Sequence, residues 1–217
     1  MQITHHGHSC LQLDVAGSRI VIDPGVFSDL DSIEGADAIC ITHQHPDHLD
    51  LARFAGLLER SPDAIVYAEP QAANLLQDKG IEATDTSSGA AIEVGSVTVT
   101  PVGQKHAVIH QYIDRIDNLG LVVRAEGEPS FFHPGDALDA DPGEVDFLGV
   151  PLSAPWCAVK ETIAFVRRIA PQQAIVPIHD ALLVPPARAL YLSQVEGFGL
   201  DGGVAVRDLA GAGVQEL

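Results

Sequence analysis

His43-Gln44-His45-Pro46-Asp47-His48 puts three imidazoles and one carboxylate within six residues. Pro46 fixes its own φ and pushes His45 toward an extended backbone. An extended stretch sends His43, His45 and Asp47 to one side, and His48 then turns away as the next helix begins. The loop thus offers one chelating pair with a second pair close by. Imidazole and carboxylate donors suit zinc, iron or manganese, and the lack of cysteine argues against a structural zinc knot.

Working outward, the run AICIT (38–42) leads directly into His43, and it is one of five β-type runs that finish on a histidine or aspartate. RIVI (19–22) ends at Asp23, VTVTPV (97–102) leads to His106, SFF (130–132) leads through His133 to Asp136, and AIVPI (174–178) ends at His179. Ligands of α/β folds gather outside the carboxyl ends of strands, so these side chains are expected at one rim. Other strands are read at 3–15, 119–125 and 146–152, with shorter ones at 90–94 and 203–208. Helical spacing of apolar residues appears at 49–60, 69–80, 158–170 and 185–197. Strand–helix mixing of this kind argues for an α/β class with helices covering sheets. Residues 104–118 fit neither template, and irregular segments of that length tend to be functional.

HQHPDH resembles the H-x-H-x-D-H signature of the metallo-β-lactamase superfamily, and the other strand-end residues match its remaining motifs in order and approximate spacing. The resemblance spans nearly the whole chain. It implies one domain over 1–217, a four-layer αββα sandwich of two sheets flanked by helices. It also implies two divalent ions, zinc first, with manganese or iron as alternatives. His43, His45 and His106 would hold one ion, Asp47, His48 and His179 the other, and Asp136 would bridge them. Motif position favours His106 over its neighbour His110. Asp23 would brace the HQHPDH loop, and His8 would stand behind the ligands, since HHGHSC (5–10), HPGD (133–136) and PIHD (177–180) are most like the branch of small hydrolases that includes ascorbate-6-phosphate lactonase. The implied activity is hydrolysis of a small ester, lactone or phosphoester by a metal-bound hydroxide. Asp47 and Asp136 would be the catalytic carboxylates, one orienting the nucleophile and the other holding the ions together. Lys105, Arg115 and His133 lie near ligand positions in the sequence and are candidates to grip an anionic substrate group, with Trp156 as an apolar wall. An iron oxidoreductase on the same ligands and a nucleic-acid phosphodiesterase are the competing readings.

Composition bears on these alternatives. The chain has 217 residues, 46% of them hydrophobic, enough for a sizeable core. Twelve Lys and Arg stand against 30 Asp and Glu, a net charge of −18, which repels phosphate backbones and anionic lipid at long range. A small-molecule substrate is therefore expected rather than nucleic acid or a membrane, with homo-oligomers left open. The N-terminus has neither a basic n-region nor an apolar h-region, and no apolar run nears the ~18 residues that span a bilayer. Cys10, Cys40 and Cys157 are scattered, which reads as reduced thiols in a cytoplasmic protein.

Overall fold

A computed structural model describes residues 1–217. The chain opens with an antiparallel meander, β1 (Gln2–Gly7), β2 (Cys10–Val15) and β3 (Ser18–Ile22), then continues in parallel through β4 (Ala38–Ile41), β5 (Ile65–Ala68) and β6 (Thr84–Asp85). Helices α1 (Phe54–Arg60) and α2 (Pro70–Gln77) make the crossovers that parallel pairing requires. The second half repeats the plan. The strands β7 (Ile92–Val94), β8 (Val97–Val102), β9 (Gly120–Ala125) and β10 (Phe131–His133) are antiparallel, and β11 (Phe147–Pro151) and β12 (Ala174–Ile178) add in parallel. Helices α3 (Val159–Ile169) and α4 (Pro185–Phe198) follow β11 and β12, and β13 (Gln215–Glu216) returns to the edge of the first sheet beside β1.

Side-chain alternation along the strands builds the layers. In β3, Ile20 and Ile22 enter the core between the sheets, while Val21 joins the outer cluster under α1 and α2. In β4, Ala38 and Cys40 face inward, and Ile39 and Ile41 face the same helices. The second sheet mirrors this: Leu121, Val123, Phe131 and Val176 point between the sheets, and Val122, Phe132, Leu148 and Ile175 pack under α3 and α4. Both faces of each sheet are apolar, so the helix–sheet–sheet–helix order is the one that leaves no apolar sheet face in water. Fully burying a ring such as Phe131 or Phe132 contributes about 1.5–3 kcal/mol.

The strands that precede the candidate ligands all run the same way within their sheets. β3 and β4 are parallel; β8 and β10 are each antiparallel to β9 and therefore parallel to each other, and β12 follows through β11. Their carboxyl ends meet at one rim, where two backbone hydrogen bonds join the halves: Leu119 N–H to Thr42 O at 3.0 Å, and His179 N–H to His8 O at 2.9 Å.

Several sequence expectations need correction. Residues 3–15 form two strands, not one, because Gly7 (φ 110°) and His8 (φ 55°) turn the chain back on itself. The helix expected over 49–60 starts only at Phe54, since Asp50 accepts from the Ala52 and Arg53 N–H groups and holds the preceding residues in turns. Residues 203–208 make one isolated bridge, Val206 to Ile175, rather than a strand. No helix is long and apolar enough to cross a membrane, and all three cysteines are buried and unpaired.

Candidate metal centre

The HQHPDH stretch is not extended. The His48 and Leu49 N–H groups both reach back to His45 O, at 3.0 and 2.9 Å, and fold residues 45–48 into a turn. This splits the expected one-sided trio. His43 and His45 converge with His106 and Asp136, while Asp47 and His48 converge with His179 and His8; within each foursome, the nearest ligand-type atoms all lie within 4.8 Å of one another. Asp136 touches both groups. Its Oδ1 is 3.0 Å from His48 Nε2, and its Oδ2 is 3.3 Å from His179 Nε2, 3.4 Å from His106 Nε2 and 4.0 Å from His43 Nε2.

Each buried imidazole is anchored through Nδ1. His106 Nδ1–H donates to Ala107 O at 2.7 Å, His179 Nδ1–H to Ser153 O at 2.7 Å, and His48 Nδ1–H to Asp23 Oδ2 at 2.7 Å. His43 Nδ1–H donates to Thr42 Oγ1 at 3.0 Å, and that hydroxyl donates in turn to Asp23 Oδ2 at 2.7 Å. Asp23 Oδ1 also accepts from the Thr42 N–H at 2.8 Å. One fully buried carboxylate thereby sets the ring orientation of two histidines on the loop, and an anchored Nδ1–H leaves Nε2 as the group that faces inward.

The inward atoms have no partners. His43, His48, His106 and His179 Nε2 and Asp136 Oδ1 are buried with no hydrogen-bond partner, although His48 Nε2 and Asp136 Oδ1 approach to 3.0 Å. His8 differs. Its Nδ1 accepts from the Ala181 N–H at 3.3 Å, so its Nε2 carries the hydrogen and donates to Asp47 Oδ2 at 3.3 Å. His8 thus orients Asp47 and has no free lone pair to offer a cation.

Charge is arranged to match. Burial drives the His43 pKa well below its usual value, and burial lowers that of the half-buried His45. Burial would also depress His48 and His179, but Asp136, with Asp23 beside His48 and Asp47 beside His179, outweighs it; His48 is held well above the imidazole range and His179 is raised to about 9. Burial would raise Asp47 and Asp136. The close approach of His179 and the hydrogen bond from His8 overcome it at Asp47, and the His48 and His179 charges overcome it at Asp136, so both carboxyls lie well below their usual range.

Backbone strain concentrates at the same place. Five non-glycine residues adopt positive φ, and three of them, His8 (55°), Asp23 (51°) and His179 (56°), are at the centre. Such conformations cost on the order of 1–3 kcal/mol each and persist only where the surroundings enforce them. Gly25 shows how tightly the loop is held. A Cβ there would sit 1.9 Å from Asp47 O and 2.6 Å from His48 N, both backbone atoms. Gly25→Ala is therefore expected to push the 45–48 turn away, lowering Tm by roughly 5 °C or more and reducing bound metal, as thermal unfolding and elemental analysis would show.

The expected substrate contacts fare differently from the expected ligands. His133 is fully buried; its Nε2–H donates to Ser9 O at 2.9 Å and its Nδ1 accepts from the Gly135 N–H at 3.1 Å, so it faces the core and not a substrate. Lys105 is tied to Asp117. Arg115 Nε–H donates to His106 O, and its Nη2 lies 3.6 Å from Asp139. Lys105 and Arg115 thus have acidic partners, and His133 is enclosed by protein groups. Trp156 does reach the centre: its Nε1–H donates to Asp136 Oδ2 at 3.0 Å, and its ring stands 5.8 Å from that of His106 and 6.3 Å from that of His179. His110 is exposed and pairs with Tyr112, outside both foursomes. Two residues escaped sequence reasoning. Thr42 relays Asp23 to His43, and buried Asn118 accepts from the Asp136 N–H at 2.9 Å while donating to Pro134 O at 3.0 Å. Neither belongs to a motif, and a lone Thr or Asn carries no spacing signal.

A family model described as a β-lactamase superfamily domain matches residues 2–179. The chain is 42% identical over 197 residues to Protein Rv0786c of Mycobacterium tuberculosis, covering 90% of this chain and 91% of that protein. It is 30% identical over 226 residues to a UPF0173 metal-dependent hydrolase of Methylobacterium nodulans, covering 92% of this chain and 94% of the relative. Among solved structures, Igni18, a metallo hydrolase from Ignicoccus hospitalis, superposes with a TM-score of 0.74 at 20% identity, over 100% of this chain and 98% of that one, and so shares the fold. The sandwich, the rim of histidines and aspartates, and these matches together place the chain in the β-lactamase superfamily.

Proposed function

We propose that this chain is a metal-dependent hydrolase of a small ester, lactone or phosphoester, working with two divalent ions, zinc in the first instance. The carrying observation is the set of partnerless inward atoms, four imidazole Nε2 and Asp136 Oδ1, gathered in a buried pocket. Each such atom costs about 1–3 kcal/mol when left unsatisfied, and a cation recovers that cost. His43, His45 and His106 would hold one ion and Asp47, His48 and His179 the other, with Asp136 facing both. When bound, such ions supply Lewis acidity, lowering the pKa of water from about 15.7 toward 7 and polarising the scissile carbonyl or phosphoryl group.

The chain's own residues supply orientation. The Asp47 side chain is 26% exposed against 3% for Asp136, so Asp47 is the carboxylate that meets entering water. Held ionised and steadied by His8, it accepts a hydrogen bond from that water and orients it; a carboxyl so reluctant to bind protons is an orienting group rather than a proton store. Trp156 walls one side of the centre while its N–H steadies Asp136. The −18 net charge counts against a polyanionic substrate.

Elemental analysis of protein purified without chelator, followed by a screen of lactones, thioesters and phosphodiesters in the native metal, tests this reading. Bound transition metal is expected, with hydrolysis lost on chelation and restored by metal. Absence of metal, with no hydrolysis after its addition, overturns the proposal; iron accompanied by oxygen consumption would assign an oxidoreductase instead.

A further inference from the structure

A groove of about 490 Å³ opens beside the centre, between the segment after His106, residues 138–139, Trp156 and one face of α3. Its apolar lining is Ala107, Val108, Leu138, Trp156, Ala164 and Phe165. Two of these join it to the metal rim: the Ala107 N–H donates to Asp136 O at 2.8 Å, and Trp156 donates to the Asp136 carboxylate. The charged groups along it are occupied by protein partners. Arg115 faces Asp139 and the His106 carbonyl, Arg168 donates to Leu138 O and Ala140 O at 2.6 and 2.9 Å with its guanidinium 5.6 Å from the Phe165 ring centre, and Glu161 accepts from the Ala158 N–H at 2.7 Å. Two arginines balance one aspartate and one glutamate, so the groove presents no net charge.

From this geometry we infer that the groove receives an uncharged hydrocarbon substituent of the substrate, so that the substrate is an ester or lactone carrying an apolar chain of several carbons. This rests on the hydrolase reading for the bond cleaved, but not for the binding of the chain. The contacts on α3 run from Glu161 to Arg168, eight residues spanning about 10 Å of helix. That length suits a medium acyl chain lying along α3 from Trp156. Val108, 59% exposed, is one of the large apolar side chains left open to solvent, and an occupant of the groove would cover it. Trp156 is the only tryptophan in the chain, so its fluorescence reports on the groove mouth directly.

The test uses the metal-loaded full chain with two readouts. The first compares kcat/KM for acetyl, butanoyl and hexanoyl p-nitrophenyl esters and for the adipoyl half ester, which is as long as the hexanoyl ester but ends in a carboxylate. A methylene taken fully out of water is worth about fourfold, and the groove is open on one side, so a rise of about tenfold or more from acetyl to hexanoyl is expected. The second titrates 1-hexanol, which cannot be hydrolysed, against Trp156 emission. Ala164→Phe, a substitution at a solvent-facing helix position, fills the groove and should remove both the chain-length preference and the hexanol response. If no ester is hydrolysed but hexanol shifts Trp156 emission in the parent and not in the variant, the groove assignment stands and the hydrolase reading falls. Hydrolysis indifferent to chain length with a silent Trp156, or preference for the adipoyl half ester, overturns the groove assignment and leaves the hydrolase reading intact.

Discussion

Asp136→Asn is expected to lower kcat/KM by about a thousandfold, roughly 4 kcal/mol of lost transition-state stabilisation, and to reduce bound metal. Its two oxygens lie within 4.0 Å of Nε2 atoms in both groups of donors, His43 and His106 in one and His48 and His179 in the other. The amide keeps the shape and still accepts from Trp156 Nε1–H, so the substitution removes the charge with little change of form. In the metal-free chain that charge is what holds His48 and His179 protonated, so the variant also leaves two buried imidazoles without their main counter-ion. Asp23→Ala should be milder. It cuts the braces to Thr42 and His48 but leaves every inward-facing atom in place, and loss of an orienting partner typically costs 10–100-fold in metal affinity. Kinetics with metal analysis on both variants would show the ordering. Near-parental activity of Asp136→Asn, or a larger loss for Asp23→Ala, would be incompatible with a metal pair shared through Asp136.

The rim was legible in the sequence because strand direction is. Short Val- and Ile-rich runs with helices between some of them imply parallel neighbours, and parallel neighbours deliver their carboxyl ends to one edge; Asp23, His43, Asp136 and His179 follow strands that have a parallel neighbour, whereas His106 follows β8, which shares the direction of β10 because β9 is antiparallel to both. What the sequence hid depends on contacts made only after folding. The split of HQHPDH into two pairs is set by hydrogen bonds from His48 and Leu49 to His45 O, against the extended preference that Pro46 imposes on His45. His8 reaches the centre because the chain reverses at Gly7 and His8 and β12 then ends against His8 O, a juxtaposition of residues 171 positions apart. Lys105 and Arg115 sit near His106 in the sequence, but their partners Asp117 and Asp139 are brought in by the irregular 104–118 segment and the turn after Asp136. Strand ends are positioned by regular geometry, which brings the histidines and aspartates together, whereas loop charges are positioned by whichever partner folds nearest.

The stability gap between metal-loaded and chelated protein is expected to widen as pH rises from about 6.5 to about 9. In the metal-free fold His179 titrates near 9 and His48 well above the usual imidazole range, because Asp136, Asp23 and Asp47 favour their charged forms over the penalty of burial. Unfolded histidines release their protons near 6.5. Between those limits the folded chain binds more protons than the unfolded chain, so the stability of the chelated protein falls with pH, by about 1.4 kcal/mol per unit for each such group, and the contribution of His179 is spent by about pH 9. Below 6.5 the sign reverses for His43, His45, His5 and His6, whose pKa values burial depresses; the unfolded chain then binds the extra protons, and stability falls as pH drops. The chelated protein should therefore be most stable near pH 6.5. Metal binding runs the other way at His48 and His179, since an Nε2 that holds a cation must give up its proton, so affinity and the stabilisation it brings both grow with pH. Thermal unfolding with excess metal and with chelator at pH 6.5, 7.5 and 8.5 measures the gap, each kcal/mol being worth about 2–4 °C at this chain length. A gap that stays constant or narrows would mean that cations and protons do not compete for the same nitrogens, and the pairing of His48 and His179 with Asp136 would then have to be a structural ion network rather than a vacated ligand set.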